Sequence, residues 1–271
     1  MLYYDFRVTN IPLDITRVAA LIISGCVAGV MNSIAGGGTL VTFPTLIFVG
    51  LPSIPANATS TIALLPAAIS SAAGYRNKIR TIAPWLRIFA PVSLVGGLAG
   101  GILLVQTPSK MFDSLVPWLI LFATLLFMTQ SFFARTFGSG KVHRHEGPSS
   151  KRWLVGAAAF QCAVALYGGY FGAGIGILML ASLGILGFED VHEMNALKVI
   201  LGFLINVVAA IYFIASGLVQ WPSALIMMIG TIIGGYGGAH LAQRLPQQRV
   251  KGAITLIGFV ITAVMFYRQL Q

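Results

Sequence analysis

The chain alternates long apolar runs with short polar loops. The apolar segments lie near residues 17–49, 57–75, 82–105, 112–134, 153–187, 195–216, 222–243 and 251–268. No charged side chain occurs from Val18 to Tyr75 or from Trp153 to Phe188, although one membrane-spanning helix needs only ~20 apolar residues. The pattern therefore predicts an all-α polytopic integral membrane protein with about eight helical membrane segments.

The apolar segments divide into two homologous repeats of four. Matching positions recur at one spacing: Asn57-Ala58 with Asn195-Ala196, Pro84 with Pro222, Gly96-Gly97 with Gly234-Gly235, and Pro108 with Pro246. Such register is typical of gene duplication. We expect an N-terminal membrane repeat over 1–134, a cytoplasmic linker over 135–152 and a C-terminal membrane repeat over 153–271.

Basic residues favour opposite loops in the two halves. They cluster between the second and third segments of the first half, at Arg76, Lys78, Arg80 and Arg87, but between the third and fourth segments of the second half, at Arg244, Arg249 and Lys251. Because Lys and Arg in short loops favour the cytoplasmic side, this difference predicts an inverted repeat, whose halves enter the membrane from opposite sides.

The first segment of each half is too long for one crossing and too short for two. A helix over 17–49 would measure ~50 Å, against a hydrocarbon core of ~30 Å. Glycines interrupt both segments, in AGGGTLVTFPTL from Ala35 and GAGIGILMLASL from Gly172. We therefore expect two re-entrant hairpins and six full crossings. Eight full crossings, with both chain ends cytoplasmic, are the alternative.

The two glycine breaks are the main candidate binding site. Gly-interrupted segments at matching places in two repeats indicate a site between them. Glycine leaves backbone N–H groups uncovered, and a helix that starts at Thr39 directs its positive end toward the break, which favours a small anion. The candidates are Gly36, Gly37, Gly38 and Thr39 in the first half and Gly172, Gly174 and Gly176 in the second. Close helix packing is the alternative reading, and we prefer it for the glycines near 96–101 and 234–238.

Other polar residues in apolar segments are further candidates. Asn57, Thr59 and Ser60 open the second segment, and Asn195 and Lys198 open its counterpart; their alternatives are N-capping and, for Lys198, snorkelling or pairing with Glu193. Asn32, Tyr170 and Asn206 are candidates whose alternative is hydrogen bonding between helices. His240 is a candidate for ion coupling, because no carboxylate falls inside an apolar segment.

Composition and charge exclude several classes of protein. Hydrophobic residues make up 57% of the chain and charged residues 9%, and the mean hydropathy is +0.87, which no water-facing globule has. The net charge of +10 resides in short loops, so it indicates topology and no nucleic-acid partner. No catalytic or metal-ligating set falls within one membrane pocket, so we expect no enzyme, no metal and no cofactor.

Several motifs together resemble the TauE/SafE family of sulfite exporters, also called sulfonate uptake permeases. They are the glycine-rich break after an Asn-bearing helix (Asn32 to Gly38), Pro44, Gly50 and the run Ala56 to Ser60. The resemblance extends from about Leu21 to Tyr267. It implies a duplicated secondary carrier of the bacterial inner membrane that moves sulfite, organosulfonates or related small sulfur-containing anions without an organic cofactor.

Residues and resemblance both favour an anion. We expect a carrier that exports sulfite or a small sulfonate by alternating access, in contact with the lipid bilayer. An anion channel, an uptake permease for an organosulfur compound and a non-transporting membrane subunit are the alternatives. The sequence leaves the substrate, the direction, the coupling ion and a homo-oligomeric state open.

Overall fold

The computed structural model describes residues 13–34, 37–74, 79–137, 151–185, 188, 190–241 and 247–269. Gly36, most of the linker (138–150), Arg76, Lys78 and Arg244 lie outside them, as does the side chain of His240, a residue of the ninth helix. The described residues form ten helices and no strand. The all-α prediction is confirmed for this part of the chain.

The helices run, in chain order, as α1 (Ile15–Ile34), α2 (Thr39–Val49), α3 (Ser53–Gly74), α4 (Ile79–Gln106), α5 (Ser109–Phe137), α6 (Lys151–Tyr170), α7 (Ile175–Ile185), α8 (Val191–Ala215), α9 (Trp221–Leu241) and α10 (Gln247–Gln269). Four of them, α1, α4, α5 and α8, contain stretches long and apolar enough to cross a membrane, and the others contribute shorter apolar stretches. The described chain thus has the composition of a polytopic membrane protein.

The first segment of each half is broken at its glycines, as predicted. Helix α2 begins at Thr39 after Gly37, whose φ of 92° is left-handed. Helix α7 begins after Gly172 and Gly174, each with a φ of 77°. Side chains with a Cβ rarely adopt these angles, so glycine is what lets the chain turn here. Each half therefore starts with a long helix and a helix of 11 residues.

The first glycine break, between α1 and α2, lies beside the middle of α3. The hydroxyl groups of Thr42 and Ser60 are 2.6 Å apart, and a Cβ built on Gly38 would lie 3.1 Å from Cδ2 of Leu64. Leu64 is at the middle of the 22 residues of α3. Because α2 runs along α3 to this level, the glycine break is deep inside the helical assembly.

The alternative reading of Asn57 and Asn195, as N-cap residues, is wrong. Helix α3 begins at Ser53 and α8 at Val191, so both asparagines lie one turn inside a helix. Pro55 does not prevent α3 from starting at Ser53, because a proline in the first turn of a helix loses no intrahelical hydrogen bond. The Ala56 N–H, one residue later, donates to Pro52 O at 2.8 Å.

The two halves pack on each other through corresponding helices. Helix α1 packs along α9 and α6 along α4; α3 packs on α9 and α8 on α4; α2 meets α10 and α7 meets α5. Corresponding helices of the two halves therefore make corresponding contacts.

Glycines permit the closest of these contacts. A Cβ on Gly96 would lie 2.7 Å from the Ala165 Cβ, and one on Gly100 would collide with the Leu166 carbonyl oxygen. A Cβ on Gly234 would collide with the Cys26 backbone. The packing interpretation is confirmed at these positions. At Gly235 the backbone is close to α1, since a Cβ on Gly29 would lie 2.5 Å from its nitrogen, but a Cβ on Gly235 itself would have no neighbour within 4 Å.

Candidate functional site

A cavity of about 140 Å³ lies between the two glycine breaks, α3 and α8. Its lining residues are Asn32, Gly37, Gly38, Thr39, Thr61, Leu64, Leu65, Ala67, Ala68, Ser71, Phe171, Gly172, Ile175, Gly176, Lys198, Val199, Gly202, Phe203 and Asn206. The fold thus brings residues of both breaks, which are far apart in sequence, to one cavity.

The cavity walls come from corresponding faces of α3 and α8, the third helix of each half. Thr61, Leu64, Leu65 and Ala68 of α3 follow the spacing of one helical face. The spacing that relates Asn57 to Asn195 relates these four to Val199, Gly202, Phe203 and Asn206 of α8, which also line the cavity. The two walls are alike in position but differ in polarity, because the α8 wall carries Lys198 and Asn206.

At the first break, a side chain fixes the turn. The Gly38 N–H donates to Asn32 Oδ1 at 2.9 Å. The N–H groups of Leu40 and Val41 donate to the carbonyls of Gly37 and Gly38, each at 3.0 Å. Among the described residues of this turn, the N–H groups that remain for a ligand are therefore those of Gly37 and Thr39, fewer than the glycine run suggests.

At the second break, Gly172 and Gly176 line the cavity and Gly174 does not. A Cβ on Gly174 would instead lie 3.5 Å from Leu126 of α5. The Tyr167 hydroxyl donates to Ala173 O at 2.7 Å and holds the turn between the two left-handed glycines. Gly174 therefore serves the turn and its packing against α5.

Lys198 gives the cavity its charge. Its Nζ donates to Asn195 Oδ1 at 2.9 Å, and its aliphatic stem passes Gly176, where a Cβ would lie 3.4 Å from Cδ. Among the described residues that line the cavity, Lys198 is the only one with a basic side chain, and none is Asp or Glu. The lining therefore favours a negatively charged ligand.

The remaining sequence-predicted residues lie outside the cavity lining. Asn57 Nδ2 donates to Tyr170 O at 3.0 Å, and Thr59 Oγ1 accepts from the Gln220 N–H at 3.0 Å. The Tyr170 hydroxyl is 3.3 Å from Thr107 Oγ1. These hydrogen bonds join the two halves on one side of the cavity. Ser60, which corresponds to Lys198, is buried and bonded to Thr42.

Sequence reasoning missed Thr61 and Ser71 as lining residues. The available signal was helical spacing, since Thr61, Leu64, Ala68 and Ser71 fall on one face of α3. A prediction that α3 starts at Ser53 and turns this face toward the protein interior would have included both residues. The Thr61 hydroxyl donates to Asn57 O at 3.0 Å, as is common for threonine within helices.

The chain is similar to known membrane proteins over nearly its whole length. A family profile described as "Sulfite exporter TauE/SafE" matches residues 21–265. The chain is 27% identical over 263 residues to a "Probable membrane transporter protein" of Haemophilus influenzae, with 95% of this chain and 97% of the relative covered. It is 24% identical over 264 residues to the "Probable membrane transporter protein YfcA" of Escherichia coli K12, with 97% and 92% covered. No solved structure matches the chain.

Proposed function

Because this chain belongs to the sulfite exporter TauE/SafE family, we propose that it is a secondary carrier of a small sulfur-containing anion, either sulfite or an organosulfonate. It exports this anion across the bacterial inner membrane by alternating access. The observation that carries the proposal is the cavity between the two glycine breaks, lined by Lys198 and by no described carboxylate.

The proposed architecture is an inverted repeat with six crossings and two re-entrant hairpins, with the linker in the cytoplasm. Two observations support it. Helices α2 and α7 each have 11 residues, about 16 Å and half a hydrocarbon core. The loops of the two halves also differ in charge as inversion requires. Non-helical backbone at this depth is tolerable because it is buried in protein or lines the cavity.

In this proposal, the residues of the site replace part of the hydration shell of the anion. Lys198 supplies charge, the Gly37 and Thr39 N–H groups donate hydrogen bonds, and the absence of a carboxylate from the described lining removes repulsion. The two repeats then rock around the glycine breaks, so that the cavity opens to one side of the membrane and then to the other.

Transport by purified protein in liposomes tests the proposal. We expect saturable uptake of labelled sulfite or a sulfonate that is accelerated by the same anion inside the vesicle. Lys198→Gln should reduce uptake about tenfold or more, whereas Lys110→Gln, at an exposed position in the first turn of α5, should not. Equal rates for sulfite, chloride and an amino acid would contradict the substrate, and flux without acceleration would favour an anion channel.

A further inference from the structure

One buried amide oxygen on α3 has no hydrogen-bond partner. Asn57 is 1% exposed, and its side-chain oxygen Oδ1 is buried without a donor among the residues that the structure describes. The Nδ2 group of the same amide donates to Tyr170 O at 3.0 Å. Exchanging the two ends of the amide would place an oxygen against that carbonyl, so Oδ1 is the unpaired atom. A buried acceptor without a donor is costly, and a bound partner would remove this cost.

The corresponding oxygen in the second half has a cation as its partner. Asn195 occupies in α8 the position that Asn57 occupies in α3, and its Oδ1 accepts a hydrogen bond from Lys198 Nζ at 2.9 Å. In the first half, Ser60 stands at the place of Lys198 and is bonded to Thr42. The two helices thus share the amide oxygen, but of these two helices only α8 supplies a positive charge to it.

The hydroxyl groups one turn along α3 do not supply the missing donor. The Thr61 hydroxyl donates to the backbone oxygen of Asn57 at 3.0 Å. The single hydroxyl proton of Thr42 goes to Gly38 O at 3.2 Å, so in the pair of Thr42 with Ser60 it is Ser60 that donates. Both α3 hydroxyls therefore use their protons elsewhere and keep only lone pairs, which a cation accepts as ligands and an unpaired oxygen cannot use.

The place of Asn57 in the fold also suits a positive charge. Tyr170, whose carbonyl the Asn57 amide bonds, is the last residue of α6, and the C-terminal end of a helix carries a partial negative charge. Carriers with broken helices use such ends to coordinate their coupling ions. Thr61, one turn along α3, lines the cavity, so the cavity leads a cation to within one helical turn of Asn57.

We propose that Asn57 Oδ1 is a ligand of a monovalent alkali cation, Na⁺ or K⁺, which takes the place in the first half that the Lys198 ammonium group takes in the second. Neutral oxygen ligands favour a monovalent ion, because Ca²⁺ and Mg²⁺ are bound largely through carboxylates. The bound ion adds a second positive charge near the anion site and so strengthens anion binding. The cation site itself is independent of the proposed function, and only this effect on the anion rests on it.

Thermal unfolding of the purified full-length protein in detergent tests the cation site. The salts are sodium, potassium and choline chloride at equal ionic strength, so that chloride is the same in all three. We expect a sodium or potassium salt to raise the melting temperature of the wild type by about 3 °C or more over choline. Asn57→Ala should abolish this difference. Thr107→Val, which removes the contact of Thr107 with the Tyr170 hydroxyl, is the matched control and should keep it. Equilibrium binding of radiolabelled Na⁺ and K⁺ to the wild type needs no variant, and at least one of the two ions should bind saturably.

Sulfite uptake into liposomes tests the effect on the anion. With the same salt on both sides of the membrane, Na⁺ or K⁺ should raise the rate at low sulfite about fivefold over choline. The proposal is overturned if neither ion binds saturably or shifts the wild-type melting temperature, if Asn57→Ala keeps the full shift, or if sulfite uptake is the same in all three salts. Failure of the proposed function looks different: no anion is then taken up in any salt, while the shift in melting temperature and its loss in Asn57→Ala remain.

Discussion

Asn32 Oδ1 accepts a hydrogen bond from the Gly38 N–H at 2.9 Å, within the turn that separates α1 from α2. The same side chain lines the cavity. Asn32 therefore has two functions in the proposed carrier: it fixes the turn, and it presents a polar but uncharged surface to the ligand.

Replacing Asn32 with Asp separates these two functions. The carboxylate retains the acceptor for the Gly38 N–H but adds a negative charge beside the proposed anion. We expect Asn32→Asp to stay folded and to lose anion uptake by about tenfold or more, because two negative charges at short range repel each other. Uptake by the purified variant, normalised to the monodisperse fraction, measures this. Unchanged uptake would show that the transported anion does not bind close to Asn32.

Two glycines with left-handed φ angles can be replaced to separate the effect of backbone strain from an effect on transport. Gly37 has a φ of 92° and lines the cavity, whereas Gly50 has a φ of 111° at the C-terminus of α2, where a Cβ would have no neighbour within 4 Å. We expect Gly37→Ala and Gly50→Ala each to lower the free energy of unfolding by about 1–2 kcal/mol, because alanine is strained at these angles.

Only Gly37→Ala should also impair transport, because Gly37 lines the proposed anion site and Gly50 does not. Thermal stability in detergent and uptake in liposomes, measured on both variants, check the pair. Equal loss of uptake in the two variants would mean that strain alone explains the effect.

Helix packing by glycine offers another matched pair. A Cβ on Gly100 of α4 would collide with the Leu166 carbonyl oxygen and lie 2.8 Å from the Tyr170 nitrogen, whereas one on Gly156 of α6 would have no neighbour within 4 Å. Gly100→Ala should destabilise the protein by several kcal/mol or prevent folding, since backbone atoms cannot move aside cheaply.

Gly156→Ala should be neutral or stabilise the protein by up to about 1 kcal/mol, because alanine is the better helix former. The melting temperatures of the two variants in detergent measure the difference. A Gly100→Ala protein as stable as the wild type would contradict the close approach of α4 and α6.

The breaks and the helices were predictable because their causes are local. Glycines at 36–38 and at 172 and 174 interrupt apolar stretches, and that pattern alone predicted where α2 starts. The partners of single polar residues were not predictable. Asn57 bonds the backbone of Tyr170, a residue of the other half, and that contact depends on how the halves pack.

The difference between Ser60 and Lys198 likewise could not be predicted from the sequence. The two occupy corresponding positions, but the serine is tied to Thr42 and the lysine lines the cavity. The sequence indicated their correspondence, but only the packing of each helix determines which one can reach a ligand.

The side of the membrane on which Ser216 lies decides between the topology of six crossings with two re-entrant hairpins and that of eight crossings. The residue is exposed next to the turn between α8 and α9. With six crossings and two re-entrant hairpins it lies outside the cell, and with eight crossings it lies in the cytoplasm. In a variant with Cys26 and Cys162 replaced by alanine, we expect Ser216→Cys to react with a membrane-impermeant maleimide in intact cells.

Two further single-cysteine variants calibrate the labelling. Lys110→Cys, at the start of α5, is outside in both topologies, and Ser149→Cys, in the linker, is cytoplasmic in both. Labelling of Ser216→Cys only after the cells are permeabilised, as expected for Ser149→Cys, would exclude the inverted repeat. The two halves would then cross the membrane in the same direction, and α2 and α7 could not return to the side from which α1 and α6 enter.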